Sequence, residues 1–316
     1  MKLVEHTLTV HGPALAGGSA RPSAVGNMLR LIGPAVGSSV DVGFRRSSGP
    51  GRRPAWLKAT SNIRFRHSEP RGKDAMRFVF EAPRFGDVAA ELYEQGQLFD
   101  EPPAQTDTAF DLFADVLADV SAQRADSERF DTGVLRRLEK FRNPVFGQGI
   151  ELVEIGGDRL KKAPGELSGE VVDRAATLHQ QTPRPSRVRV AGKLDMIRDS
   201  DRVFVLQLPK GEEVRGVWVG DDAQPLKEMF GQQVVVGGIA MFRPSKTLLR
   251  IDADAMSTAR PEDGFFAQVP RPTGQPLDLK AIIREQHKKG GVAAMWGTMK
   301  AEESEEEFLA AIEEMS

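Results

Sequence analysis

Apolar and polar positions alternate most regularly between Arg187 and Met256. Val188, Val190, Gly192, Leu194 and Met196 occupy every second position, the pattern of a half-buried strand. Asp199-Ser200-Asp201 turns the chain into a second strand, Val203 to Leu208, and Pro209-Lys210-Gly211 turns it into a third, Val214 to Val219. Pro225 opens a short helix with Leu226, Met229 and Phe230 on one face, and Gly231 ends it. Strands Gln233 to Phe242 and Thr247 to Ala253 follow. The order β-β-β-α-β-β is that of a small Greek-key barrel of the OB type. Gly237-Gly238, inside a strand, marks a bulge or a bend of that barrel.

Upstream, the periodicity predicts a mixture of helices and strands. Leu3, Val4, Leu8 and Val10 suggest an opening strand, Gly12 to Ser23 a loop, Ala24 to Ile32 a short helix and Val40 to Phe44 a second strand. Met76 to Glu81 alternates as a strand, and a helix is expected from Val88 to Glu94. Thr106 to Val120 has the clearest helical pattern: Phe110, Phe113, Leu117 and Val120 share one face and Asp111, Asp115 and Asp119 another. Ser127 is placed to cap a helix through Leu135, Leu138 and Phe141. A strand from Gly149 to Ile155 and a helix from Leu167 to Gln180 precede the stiff Pro183-Arg184-Pro185. The expected organisation is α+β: an N-terminal α+β domain (1–165), a helix and linker (166–186), an OB-like five-stranded barrel (187–260), a linker and helix (261–295) and a helical tail (296–316).

Composition narrows the chemistry. The chain has 316 residues, a net charge of −2 and no cysteine. Disulfides, thiolate zinc sites and cysteine nucleophiles are thereby removed, as suits a cytoplasmic protein. Met1 to Val10 carries one Lys and no long apolar run, so no signal peptide is expected. No apolar run approaches the ~18 residues of a membrane span, and no membrane partner is expected.

Local charge is less even. Arg45 to Arg77 holds ten Lys or Arg against Glu69 and Asp74, with Trp56 and Phe65 interleaved. Such a run is most simply a solvated hairpin. Its nucleic-acid reading uses Arg45, Arg46, Arg52, Arg53, Arg64 and Arg66 on phosphates, with Arg215 and Trp218 on the barrel, Trp218 stacking on a base. An acidic protein segment is the third reading.

Catalytic motifs are absent. The five histidines (His6, His11, His67, His179, His287) fall in no metal-binding spacing, and no two have an obvious acidic orienter. Nothing calls for a cofactor. An enzyme would have to assemble its site in space, as a metal bound around Asp111 and Asp115; the simpler reading of that aspartate row is the solvated side of an amphipathic helix.

The last stretch differs from the rest. From Lys300 onward there are seven Glu against one Lys. Ser304 and Glu307 form a capping box, and Phe308, Leu309, Ile312 and Met315 make a narrow apolar stripe. The succession Trp296-Gly297, Glu302-Glu303, Ser304, Glu306-Glu307, then Leu309, Ala311, Ile312, Glu313, Glu314 and Met315 resembles the C-terminal tail of antitoxins paired with PIN-domain ribonuclease toxins. It departs from that family in that Gly297 follows Trp296 directly and Met299-Lys300-Ala301 replaces the usual Gly-Asp turn. With a barrel upstream, the chain resembles bacterial proteins of toxin–antitoxin or defence loci. The resemblance implies a non-catalytic protein that neutralises a protein partner. Glu302, Glu303 and Glu306 would face basic groups or a metal site, and Trp296, Gly297, Phe308, Leu309 and Ile312 would form the apolar contact.

Overall fold

A computed structural model describes residues 3–18, 20–49, 53–90, 93, 102–198, 202–220 and 224–272. Arg52 and the whole segment 296–316, with all eight partner-binding residues named above, lie outside the described residues. Met1–Pro272 packs as one unit containing two separate apolar cores.

The first core lies under an antiparallel sheet of β1 (Leu3–His11), β2 (Arg64–Pro70), β3 (Ala75–Pro83), β4 (Leu152–Gly157) and β5 (Gly165–Ser168), in the order β2-β3-β1-β4-β5. Alternation puts Leu8, Val10, Phe78, Phe80, Val153 and Ile155 on the core side, where helices Pro22–Arg45, Ala109–Ser121 and Gly169–Gln181 supply the opposing residues. β2 is an outer strand, and all seven of its residues are exposed.

Several elements differ from the sequence expectation, each for a physical reason. One helix, Pro22–Arg45, replaces the short helix and the strand expected at Val40 to Phe44. Pro34 lies inside it, and every residue from Ala35 to Val42 is buried, so its second half is enclosed and shows no one-sided apolar stripe, while Ser23, Gly26, Arg30 and Pro34 in the first half are exposed. Inside the basic run, Ala55–Thr60 is a helix, with Trp56 buried in the first core. Asp131, not Ser127, caps the Thr132–Glu139 helix: its Oδ1 accepts from Gly133 N at 3.0 Å and Val134 N at 3.1 Å. The segment between Lys161 and Gly165, expected as a connector, leads into β5, which pairs with β4.

The barrel contains β6 (Ser186–Arg198), β7 (Val203–Gln207), β8 (Glu213–Trp218), β9 (Gln233–Phe242) and β10 (Leu248–Thr258). β6 pairs with β7 and β9, β7 with β8, and β9 with β10, all antiparallel; β10 and β8 pair in parallel and close it. The Gln224–Glu228 helix lies between β8 and β9. Phe204, Leu206, Trp218, Val236 and Ile251 fill the interior. Gly216 is glycine because a Cβ there would enter the Phe204 ring. Opposite Gly237 and Gly238 the register of β10 slips by one residue, leaving Asp254 outside the ladder, a bulge of the kind the paired glycines suggested. Among the described residues no helix is long and apolar enough to cross a membrane.

Candidate functional site

The aspartate row was the place to look for catalysis. It is not the wet side of its helix: Asp111 and Asp119 are each 3% exposed. Asp111 belongs to a capping box, its Oδ2 accepting from Thr108 N at 2.9 Å and Thr108 Oγ1 at 2.8 Å. Asp115 takes both its hydrogen bonds from Arg159 Nη2, at 2.9 and 3.1 Å. Asp119 accepts from Ser127 Oγ, Arg124 and Arg129. Each carboxylate is committed to a protein donor, and among the described residues no group of three His, Asp or Glu is arranged to hold a metal. The row does not fit a divalent cation.

Three histidines have partners that the sequence did not reveal. His11 meets Glu154 at 2.9 Å and His179 meets Glu139 at 2.6 Å. His6 is buried against Thr108, with Nε2 2.9 Å from Oγ1. Since Thr108 Oγ1 donates to Asp111, it accepts from His6 Nε2–H, which fixes the neutral tautomer. His6 Nδ1 is buried and has no hydrogen-bond partner within reach among the described residues. The arrangement His6–Thr108–Asp111 has the order of a proton relay, but all three residues are buried, and no substrate can reach them. Burial lowers the His6 pKa from 6.5, opposed by the charge of Asp111. The unfolded chain therefore binds the His6 proton more readily than the folded one. The stabilisation is complete above pH 6.5 and is lost as pH falls through the depressed folded value. A chemical-denaturation series across that window is expected to show a slope in the wild type that His6→Gln flattens; an equal slope in both would contradict it.

A second concentration of charge joins the two cores. Arg250, 1% exposed, donates from Nε to Asp252 Oδ1 at 2.7 Å, lies 3.5 Å from Asp131 Oδ2 and donates to the Arg46 carbonyl. Asp131 also receives Ser48 N at 2.8 Å. Glu128 gathers Arg243 at 2.6 Å, Arg46 at 3.5 Å and Arg215 at 3.7 Å. Arg198 donates to the Phe44 carbonyl at 3.0 Å, and Ser245 N to the Ala125 carbonyl at 3.2 Å. Between the helix end at Gly43–Arg46 and the β6–β7–β8 face lies a cleft of about 270 Å³, floored by Met196, Val203 and Val205 and edged by arginines. It has room for a small molecule and not for a strand of nucleic acid.

No known family model, curated protein or solved structure matches the chain. Its chemistry rests on its own residues.

The seven described residues of the nucleic-acid reading do not form one surface. Arg45 is buried at the end of its helix. Arg46 and Arg215 belong to the charged joint. Trp218 is 6% exposed and packs in the barrel core, which leaves its indole no open face for stacking. Arg53 is tied to Asp41 at 2.8 Å. Arg64 and Arg66 alone stand on the exposed β2, Arg66 paired with Glu81 at 3.1 Å, with Phe65 between them 50% exposed. Sequence reasoning missed Arg137, and it missed Arg243 and Arg250 because Glu128, Asp131 and the Arg46 carbonyl, which they meet, are distant in the chain.

Proposed function

We propose that this protein is a non-catalytic binding protein of the cytoplasm, which engages and neutralises a partner, a PIN-type ribonuclease, through its acidic segment 296–316. The observation that carries the reading is the order of that segment: Trp296-Gly297, the glutamates, the Ser304–Glu307 capping box, then Phe308, Leu309 and Ile312. Burial of these three apolar side chains would contribute roughly 1.5–3 kcal/mol each, enough to offset part of the cost of ordering a short helix. The glutamates would steer the segment to a basic site. Support also comes from the described body, where buried ionisable groups such as Asp111, Asp119 and Asp131 are spent on helix caps and ion pairs. The closed five-stranded barrel supports reading this part of the chain as an OB-like scaffold.

The test is co-expression of the full chain with a PIN-domain ribonuclease encoded beside it, against a chain ending at Gly291. The full chain should co-purify with the ribonuclease and suppress its activity, and the shortened chain should do neither. Co-purification as tight without the segment would end the reading. Glu302→Ala, Glu303→Ala and Glu306→Ala together should weaken binding while Phe308→Ala weakens it further.

A further inference from the structure

Helices Pro22–Arg45, Ala55–Thr60 and Thr132–Glu139 border an open polar pocket of about 680 Å³. Gly33, Pro34 and Gly37 give it a floor of helix backbone with little side chain. Three cations line it, Arg53, Lys58 and Arg137, against one carboxylate, Asp41.

The state of each cation matters. Arg53 spends Nε and Nη2 on Asp41 Oδ1, at 2.9 and 2.8 Å, and Nη2 also on Ser61 Oγ at 3.1 Å. This leaves its Nη1 donors without a partner among the described residues. Lys58 is exposed and makes no ion pair among the described residues. Arg137 Nε is buried with no acceptor among the described residues. A guanidinium cannot shed its proton, so a buried N–H of this kind carries an uncompensated desolvation cost. Native proteins seldom leave such a donor unanswered. The hydroxyls of Ser38 and Ser61 already donate to the Ala35 and Leu57 carbonyls, so the lining offers a ligand mainly charged donors.

We propose that this pocket binds a phosphate group. Two cations in excess of the carboxylate match a phosphate monoester, and its tetrahedral oxygens accept from donors on separate elements, as a flat neutral ligand could not. The side-chain amide of Asn62, exposed at the rim, can add a neutral donor. A free nucleotide and a nucleic-acid strand both carry such a phosphate, and the recognising chemistry is the same.

The experiment uses the full chain and reads thermal shift and calorimetric titration at matched ionic strength. The probes are inorganic phosphate, adenosine 5′-monophosphate, adenosine and a short 5′-phosphorylated single-stranded oligonucleotide. Phosphate and the monophosphate should raise Tm beyond an equivalent of sodium chloride, and adenosine should not. Arg137→Gln and Lys58→Gln should each weaken binding about tenfold or more. Lys58→Gln changes an exposed side chain and leaves the fold intact, so it tests the site even where Arg137→Gln, which also withdraws a charge favouring the buried Asp41 carboxylate, lowers the stability of the ligand-free protein. If the monophosphate is the tighter ligand, the source is a nucleotide; if the oligonucleotide is, the source is a strand, and either result with both variants weakened supports the site. No gain over sodium chloride, or binding unchanged in both variants, would overturn it.

Discussion

Replacing Arg250 with methionine is expected to lower the unfolding free energy by roughly 3–5 kcal/mol, the usual cost of breaking a buried charge pair from one side. The side chain is 2% exposed, and the facing Asp131 is 4% exposed, so little solvent screening softens the loss. Methionine retains much of the length and apolar volume, so the change reports the guanidinium. Asp131 would keep its bonds from Ser48, Gly133 and Val134 and thus its capping role, while Asp252 and the Arg46 carbonyl would lose their donor. Urea unfolding of R250M against wild type measures it. Arg66→Ala, which removes an exposed pair with Glu81, is the control and should change stability by about 0–1 kcal/mol. Equal effects of the two substitutions would mean that the joint between the cores contributes nothing special.

The second large effect concerns two adjacent glycines with different surroundings. A Cβ on Gly238 would stand 2.8 Å from Ala253 Cα and closer still to the Asp252 carbonyl, both backbone atoms of the neighbouring strand. Backbone there cannot retreat without opening the β9–β10 ladder. Gly238→Ala should therefore destabilise by about 3 kcal/mol or prevent barrel closure. A Cβ on Gly237 would meet only the Ala255 Cβ, at 3.5 Å, an ordinary contact. Gly237→Ala should be neutral within about 0.5 kcal/mol or slightly stabilising, since it restricts the unfolded chain. Thermal unfolding of the pair separates the cases; similar midpoints would show that the close approach at Gly238 is relieved elsewhere.

The barrel was legible because each strand alternates and each turn is punctuated by Asp, Pro or Gly. The Pro22–Arg45 helix was not, because burial on all sides of its second half, Ala35 to Val42, removes the one-sided pattern that marks a helix, and Pro34 looks like a terminator. At Asp111, Asp115 and Asp119, spacing correctly gave a shared face but not its solvent exposure. What encloses that face includes Arg159 and His6, which local sequence cannot place. The same limit applies to the candidate sites. Arg53 and Lys58 were visible as part of a basic run, but their opposition to Arg137 depends on how the helices pack. Arg250 was one more cation on a strand until tertiary structure placed Asp131 beside it.

The outer strand β2 has a consequence for how the protein behaves at high concentration. Its outward backbone groups could accept the strand of a second molecule and begin sheet-to-sheet growth. Arg64 and Arg66 along that edge and Pro70 at its end make such recruitment unfavourable, by repulsion between like charges and by a missing amide. The positive charge here thus also serves colloidal stability, keeping neighbouring copies apart.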